Sequence, residues 1–116
     1  MRNPKNLNFW PEVTRFIVRV YRLAGTLPRQ EIYILGSQVK RAAVSIRLNL
    51  VEGAACESPA EFARYLEIAY RSLREALTCI ELAAELEFVK AESIQELMDF
   101  GDRLAGVIFA YRRSLQ

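Results

Sequence analysis

Apolar residues recur along this chain at the three- and four-residue spacing of α-helices, in four blocks separated by turn formers. In the first block, Val13, Phe16, Ile17, Val20, Leu23 and Ala24 make one stripe; Pro11 suits its opening turn, and Gly25 with Pro28 ends it near Ala24. The second block starts around Arg29 to Ile32 and buries Leu35, Val39, Ala42, Ala43, Ile46 and Leu50, with Gly53 expected as the residue that terminates the helix. Ser58-Pro59-Ala60-Glu61 is a capping-box pattern that opens the third block, which runs to about Leu86. Its broad apolar face includes Phe62, Leu66, Ala69, Leu73, Ala76, Leu77 and Ile80. The fourth block begins near Ala91 and ends near Arg113, carrying Ile94, Leu97, Met98, Gly101, Leu104, Ala105, Ile108 and Tyr111 inward. Nothing alternates with the period of a strand. The pattern predicts an all-α fold, an antiparallel up-down-up-down four-helix bundle, with residues 1–116 as a single domain.

The second helix carries more than a core stripe. Tyr33, Val44, Leu48 and Val51 form an apolar row roughly opposite the buried one, and the third helix has a similar narrow row of Ile68, Cys79, Leu82 and Leu86. Exposed rows of this kind are unusual on a monomer, so Tyr33, Val44, Leu48, Val51, Ile68, Leu82 and Leu86 are the expected interface of a homo-oligomer. The competing reading makes helix 2 a central helix with core on both sides. Between the two rows, Gln38, Ser45, Asn49 and Glu52 repeat at helical spacing. Asn49 and Glu52 are ligand candidates, but polar groups on a helix flank more commonly hydrogen-bond to a neighbouring helix.

Charge sharpens the picture. The net charge of +2 hides nine Lys/Arg against two Glu in residues 1–50, and four Lys/Arg against eleven acids in residues 51–100. The two halves should attract one another, within a subunit or between subunits. On helix 1, Arg15, Arg19 and Arg22 form a row of one sign. With Lys40 and Arg47 as an extension, this row is the expected face for RNA, DNA or an acidic protein, bound without base reading. Pairing of the same arginines with acids of a neighbouring subunit is the alternative. On helix 3, Arg71 has Glu67 before it and Glu75 after it at ion-pair spacing.

Catalytic chemistry is poorly provided for. The chain has no histidine, which removes the commonest general base and transition-metal ligand. It has no Gly-rich phosphate loop and no cysteine cluster; Cys56 and Cys79 are expected as free thiols. Glu81, Glu85 and Glu87 read as a solvated face. No catalytic residue, cofactor or metal is assigned, and the expected class is a non-catalytic scaffold or adaptor. A carboxylate enzyme or small-molecule-binding bundle is the alternative. The polar start and the lack of a long apolar run predict a cytoplasmic protein with no membrane association.

Several of these residues together resemble the 23S rRNA-intervening-sequence family. Tyr21-Arg22-Leu23, Leu27-Pro28, Glu31 and Tyr33 are similar to its first helix and exit. Ser37-Gln38, Arg41-Ala42-Ala43, Ser45-Ile46, Asn49 and Glu52-Gly53 resemble its central signature, and Phe62, Leu66, Ile68-Ala69, Ser72 and Glu75 its third helix. The likeness spans about Leu7 to Val89. One position departs: where the family commonly has proline after Ser-Ile, this chain has Arg47, which removes the reason for a kink there. The resemblance implies an antiparallel bundle assembled as a ring of five subunits. It also implies kinship with accessory proteins of diversity-generating retroelements, thought to bind nucleic acid and a reverse transcriptase.

Overall fold

Four long helices account for most of residues 2–115, the part of the chain described by a computed structural model of the protein. They are α1 (Trp10–Ala24), α2 (Ser37–Ala55), α3 (Pro59–Glu85) and α4 (Ala91–Ser114), and no strand occurs among the described residues. Each helix runs antiparallel to the next. Tyr21 meets Lys40 and Trp10 meets Arg47; Ser45 meets Ser72 and Gly53 meets Phe62; Tyr70 meets Phe109 and Arg74 meets Asp102. The bundle closes where α1 lies against α4, with Phe9 on Tyr111 and Phe16 on Phe100.

The core is the one set by the helical stripes. Val13, Phe16 and Val20 from α1, Ile46 and Leu50 from α2, Phe62, Leu66, Leu73 and Ile80 from α3 and Ile108 from α4 are sealed from solvent. Burying aliphatic and aromatic side chains of this size contributes roughly 1.5–3 kcal/mol each, the main force holding the helices together.

Local signals explain most helix ends. Pro11 occupies the first turn of α1. At α3 the Ser58 oxygen accepts from the Glu61 amide at 3.1 Å, while the Ser58 hydroxyl donates to the Glu61 carboxylate at 3.2 Å. That satisfies an N–H that the helix itself leaves without a partner.

The second helix departs from expectation at both ends. Gly53 does not stop it: α2 continues to Ala55, and Gly53 lies buried inside the last turns. A Cβ at this position would sit 2.8 Å from both Phe62 Cδ1 and Tyr65 Cβ, so glycine is needed for close approach to α3. At the other end a 3₁₀ turn at Arg29–Glu31 passes into a π turn at Ile32–Gly36 before the α-helix starts. Beyond that the helix is unbroken through Arg47, with no kink element in the family's proline position. The lead-in also has more order than its composition suggests. Arg2 donates its amide to Ala54 O (3.2 Å) and its guanidinium to Cys56 O (2.7 Å), and lies over the Phe62 ring, strapping the α2–α3 turn.

Candidate functional site

Two members of the polar stripe of α2, Gln38 and Ser45, are taken up by α3. Gln38 donates to Glu75, the Ser45 and Ser72 hydroxyls meet at 2.8 Å, and the Asn49 amide donates to Ser45 O at 2.8 Å and to Ser45 Oγ at 3.0 Å. The first two are rungs across the α2–α3 seam, while the Asn49 bonds stay within α2 and hold Ser45 in place. Glu52, at the end of the ladder, stays exposed. Gln38 also changes the charge pattern: Glu75 turns to it, and Arg71 pairs only backwards with Glu67, at 3.3 Å, instead of with both acids.

Outside this ladder the α2–α3 face is apolar at both ends. The antiparallel register set by Ser45 against Ser72 groups Leu48, Val51 and Ile68 near the α2–α3 turn, and Tyr33 with Leu82 and Leu86 at the far end. All six are exposed, Tyr33 at 86 % and Leu48 at 58 %, whereas Val44 is half-buried. Cys79, from the same row, is buried. Ile34 joins the far group at 65 % exposure. The π turn carries it outward, a change of phase that a constant helical period does not anticipate.

The arginine row of α1 faces α4 and its acids. Arg15 pairs with Glu12, one turn earlier, at 2.8 Å. Arg19 reaches Glu96 at 3.6 Å and lies over the Phe100 ring, while Arg22 is exposed with no ion-pair partner among the described residues. Lys40 and Arg47 lie on the other flank. Lys40 sits over the Tyr21 ring at 5.4 Å and Arg47 over the Trp10 ring at 4.6 Å, and those rings lie roughly 130–150° round α1 from the arginines at about 100° per residue. The two basic groups therefore border the outward face of α1, with Val18 exposed between them.

A further basic and aromatic cluster lies on the α3–α4 seam. The Tyr70 and Phe109 rings are 5.6 Å apart and tilted by 55°. Arg74 donates to the Tyr70 hydroxyl at 3.2 Å and to Asp102 at 2.8 Å, and Arg113 lies 6.0 Å from the Phe109 centroid. Glu67 sits between Arg71 and Arg112, at 3.3 and 3.7 Å. The i,i+4 pairs Tyr70/Arg74 and Phe109/Arg113 are visible in the sequence, but their meeting depends on the α3–α4 register.

Neither thiol is poised as a nucleophile. Burial, then Glu75, pushes Cys79 up; partial desolvation, then Glu61 and Glu52, pushes Cys56 up against a smaller opposing effect of Arg2. Among the described residues there is no grouping of three or more His, Cys, Asp or Glu able to hold a metal, and no helix long and apolar enough to cross a membrane.

A family model described as 23S rRNA-intervening sequence protein matches residues 5–110. The chain belongs to that family. The fold is shared with a crystal structure of a protein of unknown function from the S23 ribosomal protein family of Bacteroides thetaiotaomicron. The TM-score is 0.80 at 22% identity, covering 88% of this chain and 95% of that one. Among curated proteins nothing matches. Of the residues that carry the central signature, Gln38 and Ser45 bond across to Glu75 and Ser72 of the third-helix pattern, Gly53 lets α2 approach α3, and Asn49 braces Ser45 within α2. Their work in this chain is architectural.

Proposed function

We propose that the protein is a non-catalytic helical scaffold of the cytoplasm that self-associates through the outer α2–α3 face. Its partners are then met on the basic outward side of α1. The observation that carries this reading is the exposure of Tyr33, Leu48, Val51, Ile68, Leu82 and Leu86 on one side of a bundle whose core is already complete. Leaving six large apolar side chains in water on one face is the mark of a surface made to be covered. A second copy can cover it in either of two closed ways: the face meets its like in a two-fold dimer, or it meets a different face of the next subunit in a ring. A ring of five is the assembly that the family resemblance implies. Two free cysteines accord with a reducing compartment.

Nucleic acid is the proposed ligand of α1, with an acidic protein as its competitor. Arg22, Lys40 and Arg47 make no ion pair among the described residues and border one face, while Arg15 and Arg19 are each held by a single acid, half-buried Glu12 and exposed Glu96, that a phosphate can displace. Repetition round an oligomer multiplies such a weak patch.

Light scattering on wild type and Leu48→Glu tests assembly. An oligomeric wild type and a folded, smaller variant support it; a monomeric wild type ends it. Titration of labelled RNA and DNA at two salt concentrations against wild type and the Arg15/Arg19/Arg22→Glu variant tests the ligand. The expected log–log slope is about −0.9 per phosphate on duplex and about −0.7 on a single strand. Equal binding by the variant removes α1 as the site.

A further inference from the structure

We propose that the α3–α4 seam carries a stacking site for single-stranded nucleic acid, formed by Tyr70 and Phe109 with Arg74 and Arg113 beside their rings. It rests on the reading of the protein as a nucleic-acid-binding scaffold but uses a different surface from α1. Phe109 lies at the centre. It is 40% exposed and points away from the core that Ile108, next to it, helps to fill. Its ring packs against that of Tyr70, with centroids 5.6 Å apart and planes at 55°, so the two form one tilted aromatic surface. A planar base can lie against the exposed part of the Phe109 ring in the offset or edge arrangement that aromatic groups favour.

The arginines supply the rest of such a site. Arg74 is fixed, donating at 3.2 Å to the Tyr70 hydroxyl and at 2.8 Å to Asp102, so it holds the Tyr70 ring in place. Arg113 is exposed and has no ion-pair partner among the described residues, which leaves it available to a phosphate. Arg71, 76% exposed, shares Glu67 with Arg112, so two guanidinium groups depend on one carboxylate. A phosphate near Arg71 and Arg112 relieves that shortage.

The surroundings select a strand and limit its length. Rings can reach a base face only where the base is unstacked, which excludes a regular duplex. Farther along the same seam Glu81 and Glu85 line a surface that repels phosphate, so the footprint is confined to the end that holds the last turns of α4. An acidic protein would find the arginines equally attractive but would have no use for the tilted ring pair.

Fluorescence anisotropy with labelled single-stranded RNA and DNA, and with a duplex of equal length, tests this on wild type, Phe109→Leu, Phe109→Trp and Arg15/Arg19/Arg22→Glu. Circular dichroism confirms folding of each. Phe109→Leu keeps the apolar bulk and loses the ring; single-strand binding should weaken ~5- to 150-fold with its salt slope and duplex binding unchanged. Phe109→Trp should restore binding, with its fluorescence quenched by the strand. Wild-type affinity in Phe109→Leu overturns the stacking site; if the α1 variant then loses binding, the α1 reading stands alone. Loss in Phe109→Leu with retention in the α1 variant supports the stacking site and removes α1. Failure of wild type to bind any strand at low salt overturns both.

Discussion

Ser45 and Ser72 bring their hydroxyl oxygens to 2.8 Å across the α2–α3 seam, and Ser72 is the one buried polar residue among those described. Both side chains are small, and Ala42, Ala69 and Ala76 are buried on the same two helices, so the backbones can approach closely. Deleting one hydroxyl leaves the other half-satisfied, since Ser45 Oγ keeps the Asn49 amide at 3.0 Å. Ser72→Ala should therefore cost about 1 kcal/mol, and a cycle with Ser45→Ala should give a coupling of about 0.5–1.5 kcal/mol. Urea unfolding at fixed protein concentration measures both. Strict additivity would mean that the rung contributes nothing as a pair.

Gly101 and Gly106 lie on the same helix in opposite surroundings. A Cβ on Gly101 would come within 3.0 Å of Phe16 Cε1 and 3.2 Å of Leu77 Cγ, whereas one on Gly106 meets nothing within 4 Å. Gly106→Ala should thus stabilise by about 1 kcal/mol through helix propensity alone. Gly101→Ala gains the same propensity but overpacks the core, an effect of about 1–3 kcal/mol in the other direction, and should lower stability. Equal shifts in the two midpoints would show that Gly101 is not a packing contact.

How much of this was legible depends on whether the cause lay within one helix. The stripes of α1, α3 and α4, the Ser58 cap and the all-α class follow from local spacing. Gly53 was misread because a glycine late in a helix looks like a terminator, while its actual constraint comes sideways from Phe62 and Tyr65. The Arg71–Glu75 pair gave way for the same reason, since Gln38 arrives from α2. Ile34 escaped because the π turn breaks the constant angle on which the stripes were drawn. For the candidate surfaces, the sequence supplied the basic residues of α1 but not their neighbours. Glu96 reaches Arg19 from α4, and the Tyr70–Phe109 contact exists only once α3 and α4 are in register.

Cys56 and Cys79 should both label slowly near neutral pH in the folded protein. Their thiols are raised, Cys79 by burial and then Glu75, Cys56 by desolvation and then Glu61 and Glu52, so less thiolate is present than in an unfolded chain. Raising the pH should speed labelling, with half-buried Cys56 reacting before Cys79. The linked effect on stability has one sign: the native state retains thiol protons that the unfolded chain releases, so this contribution is complete below the unfolded thiol pKa. It falls away as pH rises through the folded values. Timed alkylation with mass spectrometry, native and in urea, measures the difference. Faster labelling in the native state would contradict it.

Glu87 ends α3 in a conformation that glycine adopts more easily. Its φ is 63°, the one positive value among the described non-glycine residues. The Phe88 amide donates to Ala83 O and the Glu87 amide to Ala84 O, both at 2.9 Å. That is the bonding pattern of a helix closed by a left-handed residue, and Phe88 packs against the core beyond it. A side chain in the left-handed region costs roughly 1–2 kcal/mol, which glycine avoids while giving up some unfolded-state restriction. Glu87→Gly should then stabilise by about 1 kcal/mol and raise the melting temperature by roughly 4 °C for a chain of this size. Glu87→Val, stiff at the β-carbon, should lower it. Thermal scans of the three proteins at one concentration and pH decide the matter, and a Glu87→Gly midpoint at or below wild type would show that the turn is not strained by its side chain.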